Sequence, residues 1–140
     1  MKKLFLLLTI FSYLTIQNPS VFTYETSSED LSVYTRRKEP TKEDILVATF
    51  REELPQAKEL IMRESGNNPC KINGGAEICG YRGDRACGVP QSLPCAKMGC
   101  ELSHDIRDYA CQIRWMKNYV EGRYGSFANA LNWHNLNNWY

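Results

Sequence analysis

The chain has almost no net charge: 17 Lys and Arg stand against 16 Asp and Glu, a formal +1. That removes the electrostatic basis for binding nucleic acid or holding to an anionic membrane surface. The spacing of its cysteines contains no Cys-x-x-Cys pair, the usual signature of a zinc site. It also lacks an apolar run of about 20 residues, the length a stable transmembrane helix needs; Leu4 to Ile16 is about 13 residues and is interrupted by Thr9, Ser12, Tyr13 and Thr15. There is no internal repeat, which excludes a solenoid or propeller.

What is present begins with Met1-Lys2-Lys3 ahead of that short apolar run, which is the chemistry of an export signal. Only Ser20 offers a small residue in Gln17-Asn18-Pro19-Ser20-Val21, so residues 1–22 read either as a cleaved signal peptide or as a retained anchor. Both predict a protein outside the cytoplasm, secreted or in the cell envelope. The six cysteines, Cys70, Cys79, Cys87, Cys95, Cys100 and Cys111, then read as a disulfide framework. Their number admits many pairings, of which we expect Cys70 with Cys79 across a Gly74-Gly75 turn.

Residues 23–42 carry mixed charge with few large apolar side chains and no period, and read as a flexible linker. Residues 43–140, roughly 100 in number, fit one small domain. Thr41 with Asp44 three residues on nearly matches a capping box, and Leu46, Val47 and Phe50 predict one face of a first helix. Pro55 suits the first turn of a second, carrying Ala57, Leu60, Ile61 and Glu64 and stopped by Gly66 and Asn67-Asn68-Pro69. Cys70 to Cys100 has no helical period and predicts turns or a short hairpin. Ile113, Met116 and Val120, with Cys111, Trp115 and Tyr119 beside them, predict a buried helix ending near Gly122 or Gly125. Ser126 can cap a last helix from Phe127 to about His134. The fold class is therefore mainly α, a small helical domain with a disulfide-rich loop or short hairpin segment.

The chemistry concentrates around Arg63-Glu64-Ser65-Gly66-Asn67-Asn68-Pro69. A carboxylate at the C-terminal end of a partly apolar helix meets the negative end of the helix dipole and low-dielectric packing, and both favour its protonated form. An acid that must protonate a glycosidic oxygen near neutral pH needs that shift. The plainer reading is a solvated helix-end Glu paired with Arg63.

Further along stand Cys87-Gly88-Val89-Pro90-Gln91-Ser92-Leu93-Pro94 with Lys97-Met98, Gln112-Ile113-Arg114-Trp115, Arg123-Tyr124-Gly125-Ser126 and Trp139-Tyr140. In this order and spacing, with Glu64-Ser65-Gly66 ahead of them, the chain resembles the lysozyme-like lytic transglycosylases, most closely their small secreted bacterial members, over about Ala57 to Tyr140. The resemblance implies an α+β lysozyme-like fold and Glu64 as the acid that later becomes the base. It implies substrate contacts from Ser65 and from Gln91 of the Gly-x-x-Gln segment, and His134-Asn135 where the family commonly has Tyr-Asn. The substrate it implies is the glycan strand of peptidoglycan, cut at the β-1,4 link between N-acetylmuramic acid and N-acetylglucosamine by a monomeric enzyme that needs no cofactor or metal.

Aromatic rings cover the apolar C–H faces of sugars, which nominates Tyr81, Trp133 and Trp139 for a groove, while Trp115, Tyr119 and Tyr124 read as core. Glu77, Asp84, Asp105 and Asp108 read as solvated charges, which leaves Glu64 without a second carboxylate. A conventional glycosidase needs two; with one acid/base, the substrate's own N-acetyl or hydroxyl group supplies the nucleophile and leaves a 1,6-anhydro end. Two other readings compete: a non-catalytic peptidoglycan-binding or inhibitor module on the same scaffold, and a disulfide-rich effector acting on a protein partner.

Overall fold

The computed structural model describes residues 38–139; the expected export segment, most of the expected linker and Tyr140 lie outside the described residues. The domain is mainly helical. Helix α1 spans Lys42–Phe50, α2 Leu54–Ser65, α3 Ile106–Tyr124 and α4 Phe127–Asn137, with 3-10 turns at Arg51–Glu53 and Cys95–Met98. Among the described residues no helix is long and apolar enough to cross a membrane.

Capping chemistry sets most of the helix ends. The Thr41 hydroxyl accepts from Asp44 N–H while the Asp44 carboxylate accepts from Thr41 N–H at 2.8 Å, a full capping box that starts the domain slightly before residue 43. Pro55 lies in the first turn of α2, and Gly66 closes that helix in the left-handed region at φ 63°. Asp105 and Ser126 cap α3 and α4, and Gly125 ends α3 at φ 77°. Helix α4 runs three residues past His134, to a left-handed Asn138. That extension puts His134 on a helical face instead of in a frayed tail.

The core forms where α1 and α2 meet α3 and α4. Leu60, Ile61, Ile113, Met116, Val120 and Phe127 are all at most 1 % exposed, and each such side chain contributes about 1.5–3 kcal/mol through burial. Phe50 packs edge-on against Phe127, with centroids 4.8 Å apart. Val47, expected on the buried face of α1, is 49 % exposed. Leu46 and Phe50 form the inward i, i+4 pair, and the helical turn of one residue carries Val47 away.

The segment between α2 and α3 folds over a second cluster of Ile72, Cys87, Cys95, Met98 and Leu102. It contains only isolated antiparallel bridges, at Lys71–Glu77, Ile72–Cys87 and Cys87–Ser92, so the expected short hairpin is reduced to single pairings. All six cysteines are paired, as Cys70–Cys79, Cys87–Cys95 and Cys100–Cys111. These loops of 9, 8 and 11 residues each restrict the unfolded chain by about 2.5 kcal/mol in the chain-entropy picture. Trp115 and Tyr119, expected in the core, are half-buried and stack on one another at 5.0 Å, with planes 8° apart. Their stripe on α3 lies a helical turn's edge away from the buried one.

Candidate active site

Glu64 occupies the last turn of α2, between the buried stripe and solvent, and its side chain is 14 % exposed. Burial pushes its pKa up to about 7. It lines a cleft of about 410 Å³ together with Asn73, Ala86, Gln91, Leu93, Asn138 and Trp139. Among the described residues that line this cleft, Glu64 is the sole carboxylate.

His134 reaches Glu64 from α4, with Nε2 3.2 Å from Oε1 and an equally buried side chain. An ion pair would lower the acid's pKa and raise the imidazole's. Here both move the other way: desolvation raises Glu64, while desolvation and then the charge of Arg63 lower His134. Burial therefore outweighs their mutual attraction, and the 3.2 Å approach joins two groups that burial drives toward their uncharged forms. Arg63 holds the same corner, with Nε donating to Glu59 and Nη1 donating to Asn135 Oδ1 at 2.5 Å. Asn135 thus braces α4 against α2 and is exposed outside the cleft lining.

Gln91 lines the same cleft. Its loop is pinched by reciprocal hydrogen bonds between Cys87 and Ser92, and Gln91 itself has a positive φ of 49°. Its amide nitrogen donates to Gly88 O at 2.9 Å and to Lys71 O at 3.3 Å. The donors are spent on the loop, which leaves the side-chain oxygen as the group for a ligand.

The loop is anchored by a residue whose role the sequence reading did not assign. Gln112 is fully buried on the apolar stripe of α3; its Oε1 accepts from Val89 N–H at 2.8 Å, and its Nε2 donates to Pro69 O and Glu101 O. One side chain thereby ties α3 to the Gly88 loop and to the turn that follows Glu64. The signal was a Gln spaced i, i+1 and i+4 with Ile113 and Met116, since a buried amide must find partners for every polar atom. Gly88 answers the same constraint: at φ 72°, a Cβ on it would lie 2.7 Å from Gln112 Oε1.

The remaining nominated residues divide. Trp139 lines the cleft, and Trp133 meets it edge-on at 5.6 Å from outside the lining. Ser65, for which the resemblance implied a substrate contact, is buried, and its hydroxyl donates back to Ile61 O, because position 65 faces the core one residue after Glu64. Tyr81 is also turned elsewhere, lining a separate hollow with Arg82 and Cys100 while its hydroxyl accepts from Arg85 N–H. Asn73, Leu93 and Asn138 join the cleft without having been nominated; only the folded loop brings them to Glu64.

Three of the four other carboxylates named from the sequence are engaged away from the cleft. Glu77 meets His104 at 2.9 Å, Asp105 caps α3 and binds Arg107, and Asp108 accepts from the Ser103 hydroxyl. Tyr124 senses Glu64 through space, since that charge is among the causes raising its phenol pKa after burial. No protein-family model, curated protein or solved structure matches this chain.

Proposed function

We propose that this domain cleaves the β-1,4 link between N-acetylmuramic acid and N-acetylglucosamine in peptidoglycan, with Glu64 as a single acid/base. The observation that carries the reading is a lone, largely buried carboxyl on the wall of a cleft that also presents an amide and an indole. A buried acid keeps its proton near neutral pH, and a sugar ring finds an apolar face on Trp139 and a hydrogen-bond acceptor in Gln91.

In the first step the Glu64 proton moves to the glycosidic oxygen as the C1–O bond breaks. The ionised carboxylate then takes the proton of the sugar's own C6 hydroxyl while that oxygen bonds to C1. The product ends in a 1,6-anhydro ring, no water is consumed, and Glu64 regains its proton. The absence of a second carboxylate among the described lining residues favours this route over the two-carboxylate schemes of ordinary glycosidases. His134 stands 3.2 Å from one oxygen of the Glu64 carboxyl. Three cystines suit the oxidising surroundings of an exported protein that works on the wall.

The test is digestion of purified wall by the native chain and by Glu64→Gln. Native protein should release anhydro-ended fragments one water lighter than hydrolysed ones, and the variant should be slower by about 10²–10⁴-fold, the range of a positioned general acid. Fragments with reducing ends alone would assign hydrolysis instead. Saturable binding with no fragments released by the native chain would make the domain a binding module.

A further inference from the structure

Outside the cleft, the surface between α3 and α4 carries an arginine framed by aromatic rings. The Arg123 guanidinium carbon lies 5.4 Å from the Tyr124 ring, 5.5 Å from Trp139 and 5.7 Å from Tyr119. One of its N–H groups donates to the Tyr119 hydroxyl at 2.7 Å. Held this way, the guanidinium is pre-oriented, so little side-chain entropy remains to be lost when a ligand binds.

Arg123 lines a hollow of about 540 Å³ with Tyr124, Asn129, Asn132, Trp133 and Leu136. The hollow has an apolar wall, two amides and a cation. Lys58, Arg63, Arg82, Arg107 and Lys117 each have a carboxylate within ion-pair distance, whereas Arg123 has none among the described residues. Its charge is therefore not neutralised by the fold. Cation–π contacts leave the edge N–H groups of a guanidinium free, and that edge is the part matched to a carboxylate.

The hollow and the candidate active site meet through a pair of indoles. Trp139 lines the Glu64 cleft, Trp133 lines the hollow, and the two indoles touch edge to face at 5.6 Å. A chain lying in the cleft needs only a short branch over this indole pair to reach Arg123.

We propose that this hollow is a second binding site, which seats a carboxylate of the peptide branch carried by the glycan on Arg123 while the sugar backbone occupies the Glu64 cleft. The inference rests on the proposed function for its substrate. The ring walls take the apolar side chains and sugar faces, Asn129 and Asn132 hydrogen-bond the branch, and Arg123 supplies the charge that selects an anionic branch over a neutral one.

The experiment measures calorimetric binding to the full disulfide-bonded chain carrying Glu64→Gln, which prevents turnover. The two probes are peptidoglycan oligosaccharides that bear their peptides and the same oligosaccharides stripped of peptide by an amidase. Arg123→Gln should weaken the peptide-bearing probe by about tenfold, the scale of one charge-assisted hydrogen bond, and leave the stripped probe unchanged. Arg123→Lys should recover part of the loss, and Trp133→Ala should reproduce it. Equal effects on both probes, or none on either, overturn the proposal. If neither oligosaccharide binds, the reading of the cleft fails, and the free peptide becomes the probe: binding that is lost in Arg123→Gln supports the hollow, and no binding overturns it.

Discussion

Replacing Glu64 by Gln should stabilise the domain above neutral pH and leave it almost unchanged in acid. The carboxyl has an ordinary pKa of 4.5 and is pushed to about 7 by burial. With a side chain only 14 % exposed, little solvent screening reduces the effect. Below the unfolded value both states hold the proton, and ionisation costs nothing. Between the two values the unfolded chain ionises first, so folding loses stability as pH rises. Above about 7 both states are charged, and the folded form carries the full penalty, about 3 kcal/mol at 1.36 kcal/mol per unit. Gln keeps the shape without the charge. The stability difference between variant and native chain should therefore grow by up to about 3 kcal/mol from about pH 4 to about pH 8.5. In a domain of this size that corresponds to roughly 10–20 °C in melting temperature. Urea and thermal unfolding at both pH values, with the disulfides intact, measure it, and every other titrating group except His134 cancels in the difference. A gap that does not change with pH would mean that Glu64 titrates like a solvated surface acid, and the chemical reading of the cleft would lose its footing.

Other perturbations test the supports of the site. Gln112→Leu leaves the Val89 N–H and the Pro69 and Glu101 carbonyls without their partner, and should cost about 3 kcal/mol by urea unfolding. Gly88→Ala forces a Cβ against Gln112 at φ 72° and should cost about 2–3 kcal/mol in the same assay; a neutral result would refute the close approach. His134→Phe removes a polar neighbour of Glu64 and adds apolar burial, so the alkaline limb of the wall-cleavage pH profile should move upward, and a downward move would contradict the contact. Opening Cys100–Cys111 by substitution with Ser frees the start of α3 from the loop and should lower stability by about 2.5 kcal/mol in chemical denaturation.

Local sequence determined the parts whose causes are local. The cap at Thr41, Pro55 in the first turn of α2, glycines at the ends of α2 and α3 and the Ser126 cap each act through backbone groups within a few residues. The apolar period of Ile113, Met116 and Val120 similarly specified a buried face, and an even cysteine count concentrated in one segment specified cystines. Glu64 was legible because a helix-end carboxylate bordering an apolar stripe is unusual at short range. Where neighbouring residues differ by one helical step, the same reasoning failed at Val47, which turns outward because packing with distant helices selects which edge of a stripe is buried.

Tertiary structure decided everything that depends on residues far apart in the chain. His134 lies 70 positions after Glu64, and only the packing of α4 on α2 brings an imidazole within 3.2 Å of that carboxyl. Burial then reverses the pKa directions that a pair of opposite charges would have. Gln91 and Trp139 come to one cleft because Gln112 fastens the Gly88 loop to α3, while Tyr81 goes to another hollow with the cystine-bound segment. Period and composition report which face of a helix avoids water. The direction of a loop and the dielectric around a carboxyl follow from contacts across the whole domain, so they exist only once it has folded.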